Sequence, residues 1–435
     1  MAHINYTRQL RTRISATLEE IMPLSMGGCN FAVFGGTPQQ RADTAVQALA
    51  RYCGRCGILV LLNASDREPA GRLEQLLLQL PRSLPDTHRA FRNTPVRTFP
   101  WSSYDLLYGL DEAAICQLMF PGENIHGYAA QMSNSLQGLQ QYLKIMRCRF
   151  QLNSTPFGAY PFNLNLLHQL TSMPYPLLKS QVLYYLPQAV RTSVESVLGR
   201  DNVQQQVFSV VDGFTKRFQR FQVLPGDFGA HSRRSIFQSM CSREILCLRV
   251  PNSSQILMDY IEAELTQLSE VGIPFMLLSA ELDLINSPAL HSRFLRKPSA
   301  NSYMGILSES MSPVASGSEQ QRQIFSHYQQ ILVYQCATKD LAEPFSSNCG
   351  NYRRTEIQEH HGLHWQPFHL FPGHNTGDAI IKTDERNIRA EELTELGSGV
   401  LLMGKQYEPP VRIFNLKQNR GNLNGLFLQT LPPGR

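Results

Sequence analysis

The stretch NFAVFGGTPQQRADTAVQAL, Asn30 to Leu49, reads as a strand, a glycine turn and a helix. NFAVF is a short apolar run. After the turn, Ala42, Ala45, Val46, Leu49 and Ala50 recur at helical spacing and predict one buried face. This is the outline of a phosphate-binding loop. In a working G-x-x-x-x-G-K-[ST] loop, the amides of the turn wrap the phosphates, the lysine neutralises them and the hydroxyl holds magnesium. With Gly35 as the first glycine, the corresponding residues are Gly35, Gly36, Thr37, Pro38, Gln39, Gln40, Arg41 and Ala42. Gln40 then stands at the second glycine, where a side chain obstructs close backbone approach. Arg41 stands at the lysine, charged but bulkier and planar. Ala42 stands at the hydroxyl and cannot ligate a metal. Thr44 is a displaced alternative, about half a helical turn past the required direction.

Outward from this turn, GILVLLNAS is apolar without alternation, as in a parallel strand covered on both faces. The two strands and the helix between them form a β-α-β unit, which predicts a parallel sheet. From Asp105 to Arg220 the strand signal fades. AAQMSNSLQGLQQYLKIM and NVQQQVFSVVDGFTKRFQRF carry apolar residues at helical spacing, and NSTPFGAYPFN and TSMPYPLLKS read as proline-broken connections. Alternation of strand and helix returns with EILCLRV at Glu244 and continues through PFMLLSAELDLI, SYMGILSES, QILVYQC and YRRTEIQEH. The expectation is a split parallel α/β sheet with an all-helical block inserted after its first unit.

PFMLLSAELDLI carries the second half of the nucleotide test. An ATPase of this class needs an apolar strand ending in an aspartate for the magnesium shell and a glutamate to orient water. Ser279 and Ala280 occupy those positions, and the acidic Glu281 and Asp283 lie further on. A shift of one residue along a strand turns a side chain to the opposite face.

The 435 residues exceed one compact domain, and 42% hydrophobic with 17% charged residues fits a soluble protein with a real core. The net charge of +5 is compatible with nucleic acid or acidic partners without establishing either. There is no apolar run that spans a bilayer and no signal-peptide core, so the expected location is the cytosol. The nine cysteines suit reduced, buried thiols, and the closely spaced Cys53 and Cys56 read as structural.

Taken in order, these segments resemble the coupling proteins of conjugation and type IV secretion, the TraD/TraG-type hexameric DNA-pump ATPases. The likeness runs from about Asn30 to Lys417 and includes the helical block. LHSRFLRKPSANSYMGILSES is similar to that family's Arg-Lys pair and sensor strand, which puts Arg296 and Lys297 at the pair and Glu309 at or near the sensor glutamine. ILVYQCATKDLAEPFSSNCGNY resembles the strand, acidic turn and helix that follow. ERNIRAEELTELGSGVLLMGKQYEPPVRIFN resembles the closing helix and two terminal strands. The departures fall at Gln40, Ala42, Ser279 and Ala280, the chemical centre of the family.

The resemblance implies a RecA-like P-loop NTPase sheet divided as 30–104 and 236–417, with an inserted all-helical domain at 105–235, a leader at 1–29 and a tail at 418–435. It implies work in conjugative DNA transfer or type IV secretion, with machinery proteins or DNA as partners in a hexamer-like or hetero-oligomeric assembly. The degenerate motifs predict docking without hydrolysis, with no catalytic residue, metal or cofactor. The alternatives are an active DNA-translocating ATPase using ATP and magnesium through Arg41 and Glu281 or Glu309, and an unrelated α/β binding protein. Lys216, Arg217, Arg220, Arg233 and Arg234 form a basic cluster for DNA phosphates or acidic partner surfaces, or a solvated helix face. His360, His361, His364, His369 and His374 crowd one stretch. Pro367, Pro372 and Gly373 mark it as a loop without fixed geometry, although His360 and His364 would share a face if it were helical.

Overall fold

The computed structural model describes residues 13–23, 28–64, 67–83, 93–98, 172–181, 235–250, 255–297, 301–364, 373–404 and 410–417, with scattered single positions between 91 and 216. In chain order the elements are β1 (Ile14–Ala16), α1 (Leu18–Ile21), β2 (Phe31–Phe34), α2 (Pro38–Leu49), β3 (Gly57–Asn63), α3 (Arg67–Ser83) and β4 (Val96–Thr98). Then come α4 (Tyr175–Gln181), α5 (Ile236–Cys241), β5 (Ile245–Val250), α6 (Gln255–Val271), β6 (Phe275–Ala280), α7 (Pro288–Leu295), β7 (Ser302–Ser308), α8 (Ser318–His327) and β8 (Gln330–Val333). The chain closes with α9 (Lys339–Asn348), β9 (Asn351–His364), β10 (Gly373–Arg386), α10 (Ala390–Thr394), β11 (Gly399–Met403) and β12 (Val411–Leu416).

Ten strands form one sheet in the order β1-β12-β11-β8-β2-β7-β6-β3-β5-β4. Pairing is parallel except where β11 meets β8 and β12. The period of two along each strand splits the core into two layers. Ala32 and Phe34 of β2 face one cluster with α6, α7, α8 and α9, while Phe31 and Val33 face the other with α2 and α3. The arrangement is a mixed α/β sheet, mostly parallel, with helices on both faces. As the sequence predicts, β2 and β6 share this sheet although far apart in the chain, with β7 between them. The continuous apolar run of β3 is buried along its whole length.

Several expectations change. PFMLLSAELDLI is not strand throughout, because β6 stops at Ala280 and Glu281 turns into the left-handed region at φ 58°. Residues before Asn30 supply β1, which adds to the sheet beside β12. TSMPYPLLKS is not a simple connection. It holds α4, with Pro176 in the first turn, where a missing N–H costs nothing. Most of 105–235 lies outside the described residues, as do Arg217, Arg220, Arg233, Arg234 and His369.

The histidine stretch is the clearest correction. The strand expected at YRRTEIQEH runs on to His364, and residues 373–386 pair with it as an antiparallel ribbon that forms a second sheet, so the histidine stretch is strand at both of its ends where a loop was expected. The breakers Pro367 and Pro372 fall between the strands, and Gly373 opens β10. His360 and His364 therefore lie about 13 Å apart along a strand, not one turn apart on a helix.

Candidate functional site

In an open parallel sheet, ligands sit outside the carboxyl ends of the strands where the order reverses. Here the chain leaves β2 for β3 on one side, and β7 is followed by β8 on the other. The carboxyl ends of β2, β6, β7 and β8 bring together the glycine turn, Glu281, Glu309 and Tyr334.

The turn between β2 and α2 is built on two left-handed glycines. Gly35 and Gly36 both have positive φ, 70° and 67°. They also lie tight against β8. A Cβ on Gly36 would sit 2.6 Å from the Cβ of Tyr334, and one on Gly35 would sit 2.8 Å from the Tyr334 carbonyl oxygen. Thr37 starts α2 as its N-cap, reciprocally bonded to Gln40 in a capping box, with Pro38 in the first turn. Gln40, read above as a blocked glycine position, is thus what closes the helix start.

Five of the amides of the turn and helix start, those of Gly35, Gly36, Thr37, Gln40 and Arg41, are already bonded inside the protein. Gly35 N–H donates to the carbonyls of Ser308 (3.2 Å) and Glu309 (3.1 Å), and Gly36 N–H to that of Gln335 (2.9 Å). Thr37 N–H donates to Gln40 Oε1 (2.8 Å) and Gln40 N–H to Thr37 Oγ1 (3.2 Å). Arg41 N–H donates to the Thr37 carbonyl (3.1 Å), and Pro38 has no N–H.

Arg41 is turned inward as well. Its side chain is 4% exposed, and Nε donates to Glu281 Oε1 at 2.5 Å in an ion pair. Nη1 donates to the carbonyls of Gly35 (3.0 Å) and Gly36 (2.8 Å). The guanidinium at the position read above as the lysine therefore neutralises a carboxylate and ties up two loop carbonyls. Glu281 is fixed from its own side: its N–H donates to the Leu307 carbonyl, and its carbonyl accepts from Asn63 Nδ2. Ala42, at the expected magnesium hydroxyl, and Ala280, at the expected water-orienting glutamate, belong to one apolar cluster. Ser279 is buried. The Thr44 hydroxyl, the displaced alternative for magnesium, is buried and bonded to the Gln40 carbonyl (2.7 Å) and to the Tyr334 hydroxyl (2.6 Å).

Tyr334 was not singled out by sequence, and no local signal marks it. It fills the space below the turn, and burial pushes its phenol well above the ordinary range. Glu309 is exposed and touches the turn through its carbonyl.

Arg296 and Lys297 lie elsewhere. They are exposed after α7 and line an open cavity of about 310 Å³ with Thr266, Ser269, Arg293 and Ser302. Ser302 begins β7, so these cations are a strand length, about 20 Å, from the glycine turn. Lys216 forms an ion pair with Asp212 at 2.6 Å, one turn away on the same helix face. Burial pushes the Cys53 and Cys56 thiols up to about 12, so neither is a thiolate near neutral pH. Among the residues with described side chains, no group of three His, Cys, Asp or Glu is placed to hold a metal. No described helix is long and apolar enough to cross a membrane.

No family model matches the sequence, and no curated protein is similar to it. Among solved structures, the chain is similar to one titled "Bacterial conjugative coupling protein TrwBdeltaN70. Unbound monoclinic form.". The TM-score is 0.41 at 11% identity, over 96% of this chain and 93% of that one.

Proposed function

We propose that this chain is a docking subunit that keeps the framework of a P-loop ATPase and neither binds nor hydrolyses nucleotide at the glycine turn. The observation that carries the reading is the Arg41–Glu281 pair, 2.5 Å apart over a turn in which the Gly35, Gly36 and Thr37 amides are bonded within the protein. Phosphate binding at such a turn depends on free amides and an available cation. Opening this one requires breaking a buried ion pair and at least three internal hydrogen bonds before the first phosphate contact forms. Hydrolysis additionally needs a magnesium ligand and a carboxylate to orient water, and Ala42 and Ala280 offer packing instead.

The order of segments resembling conjugative coupling proteins supports placing the subunit in conjugative DNA transfer or type IV secretion. It would act in the cytoplasm, docked to machinery proteins within a hexamer-like or mixed assembly. The basic cluster around Lys216 is the proposed contact with DNA phosphates or an acidic partner.

The test is calorimetric titration of the purified chain with ATP and magnesium, together with phosphate release with and without DNA. We expect neither binding nor turnover. Magnesium-dependent turnover that Arg41→Lys raises and Glu281→Gln abolishes would overturn the reading in favour of an active, divergent ATPase.

A further inference from the structure

At the amino end of β7, a strand length from the glycine turn, the last turns of α6, the end of α7 and Ser302 enclose the open cavity of about 310 Å³. Its inner wall is built on Arg293, which is 7% exposed. Nε and Nη2 donate to the two carboxylate oxygens of Glu262 at 2.6 and 2.8 Å. Nη2 also donates to Thr266 Oγ1 (2.9 Å), and Nη1 to Ser269 Oγ (3.3 Å). The Thr266 and Ser269 hydroxyls donate in turn to Glu262 Oε1 (3.4 Å) and to the Leu265 carbonyl (2.9 Å). This wall is therefore neutral, fixed to α6 and satisfied internally. Arg296 and Lys297 line the same cavity, are exposed, and have no carboxylate partner among the described residues. Glu270, also exposed, is the carboxylate that lines it. With Arg293 and Glu262 cancelling, two cations share the cavity with one anion.

We propose that this cavity binds a small phosphorylated hydroxy compound, its phosphate held by Arg296 and Lys297 and a hydroxyl held by Glu270. A planar guanidinium fork beside a compact ammonium suits phosphate oxygens, and hydrogen bonds between opposite charges are the strong ones. An ionised carboxylate only accepts, so Glu270 takes an O–H and turns away a second anionic group. The volume lies at the lower end of small-molecule sites, about 300–1,000 Å³, which suits a phosphate with a few carbons attached. Arg293 supplies rigidity behind the ligand rather than charge, because Glu262 already meets it. The site is independent of the nucleotide reading.

Its test is calorimetric titration of the full chain with glycerol 3-phosphate, inorganic phosphate and glycerol. One equivalent of glycerol 3-phosphate is expected to bind, more tightly than inorganic phosphate, and glycerol is expected not to bind. Arg296→Ala and Lys297→Ala should each weaken both phosphate ligands about tenfold or more. Glu270→Gln should narrow the preference for glycerol 3-phosphate over inorganic phosphate. Arg55→Ala with Arg243→Ala removes two exposed cations just ahead of β3 and β5, at the same end of the sheet, and should bind as the parent does. All the substituted side chains are exposed, so the core is untouched. Absence of glycerol 3-phosphate binding, an affinity no higher than that for inorganic phosphate, or a loss as large in the Arg55 and Arg243 variant as in Arg296→Ala overturns the proposal.

Discussion

Two buried arginines mark the two ends of helix α2, and the protein treats them differently. Arg41, in its first turn, has a carboxylate and two carbonyls as partners. Arg51, just past its last turn, is 2% exposed and has no carboxylate partner among the described residues. Its Nη1 donates to Gln330 Oε1 at 2.6 Å and to Cys29 Sγ at 3.5 Å, while Nε and Nη2 are unpartnered. A buried guanidinium is a structural tie when its charge and hydrogen bonds are met, and a burden when they are not. Arg41 ties the turn to β6. Arg51 has only the favourable end of the helix dipole for its charge.

The largest expected effect is at the tie. Arg41→Ala removes the ion pair to the Glu281 carboxylate at a site 12% exposed and releases the carbonyls of Gly35 and Gly36. Breaking a buried pair by removing one partner costs about 3–5 kcal/mol, which urea denaturation would register as a lower midpoint. The double variant Arg41→Met with Glu281→Met should recover most of that loss, because no charge is then stranded. A single variant as stable as the parent would show the pair to be incidental. The structure thus gives Arg41 a stabilising role that the sequence does not suggest.

A third buried charge sharpens the contrast, because it has donors but no cation. Glu264 of α6 is fully buried and accepts from the Phe237 amide at the start of α5 (2.6 Å) and from the Tyr260 hydroxyl. Burial pushes its carboxyl up to about 7, against the downward pull of these hydrogen bonds. The folded-state value thus lies above the unfolded one near 4.5. The stability it contributes is fully present below 4.5 and is lost as pH rises through 7, by about 3 kcal/mol in all. Glu264→Gln should flatten the stability–pH curve across that window. An unchanged slope would move the titration to another group.

How far this was legible follows from the range over which each interaction acts. The strand-turn-helix at Asn30, the buried runs of β3 and β6 and the shared sheet all depend on local period and are visible in the chain. The residue types at Ala42, Ser279 and Ala280 are equally local. Arg41 meeting Glu281 is not: the pair spans 240 positions and depends on β6 ending early at a non-glycine residue with positive φ. Tyr334 reaches the turn across a strand boundary and carries no motif. Of the histidine ribbon, YRRTEIQEH reads as a strand, but its partner over 373–386 lacks the alternation by which a half-buried strand announces itself.

A smaller effect tests how tightly the turn is held. Gly36→Ala places a Cβ 2.6 Å from that of Tyr334 at φ 67°, whereas Gly54→Ala, at φ 74°, meets nothing within 4 Å. Both pay for left-handed backbone, about 1 kcal/mol. Gly36→Ala adds overpacking against β8, bringing the total to about 2–4 kcal/mol. Equal losses at the two sites, measured by denaturation, would mean that Tyr334 gives way easily and the turn is looser than its hydrogen bonds imply.

The smallest effect is expected at the other arginine. Arg51→Met keeps a long, flexible side chain in the same volume and removes a buried cation whose Nε and Nη2 are unpartnered. What is lost is the donor to Gln330 and Cys29. What is gained is relief from desolvating a charge, and replacing poorly compensated buried charge by apolar volume is often neutral or stabilising. The Cys29 thiol supplies an independent readout. Burial holds it above its ordinary value while Arg51 pulls it down, so its pKa should rise further in Arg51→Met and its alkylation at a fixed pH should slow. The expected outcome is a stability within about 1 kcal/mol of the parent, with slower labelling of Cys29. A loss as large as that of Arg41→Ala would erase the difference between the two ends of the helix. It would mean that Arg51 has an anionic partner in the folded protein.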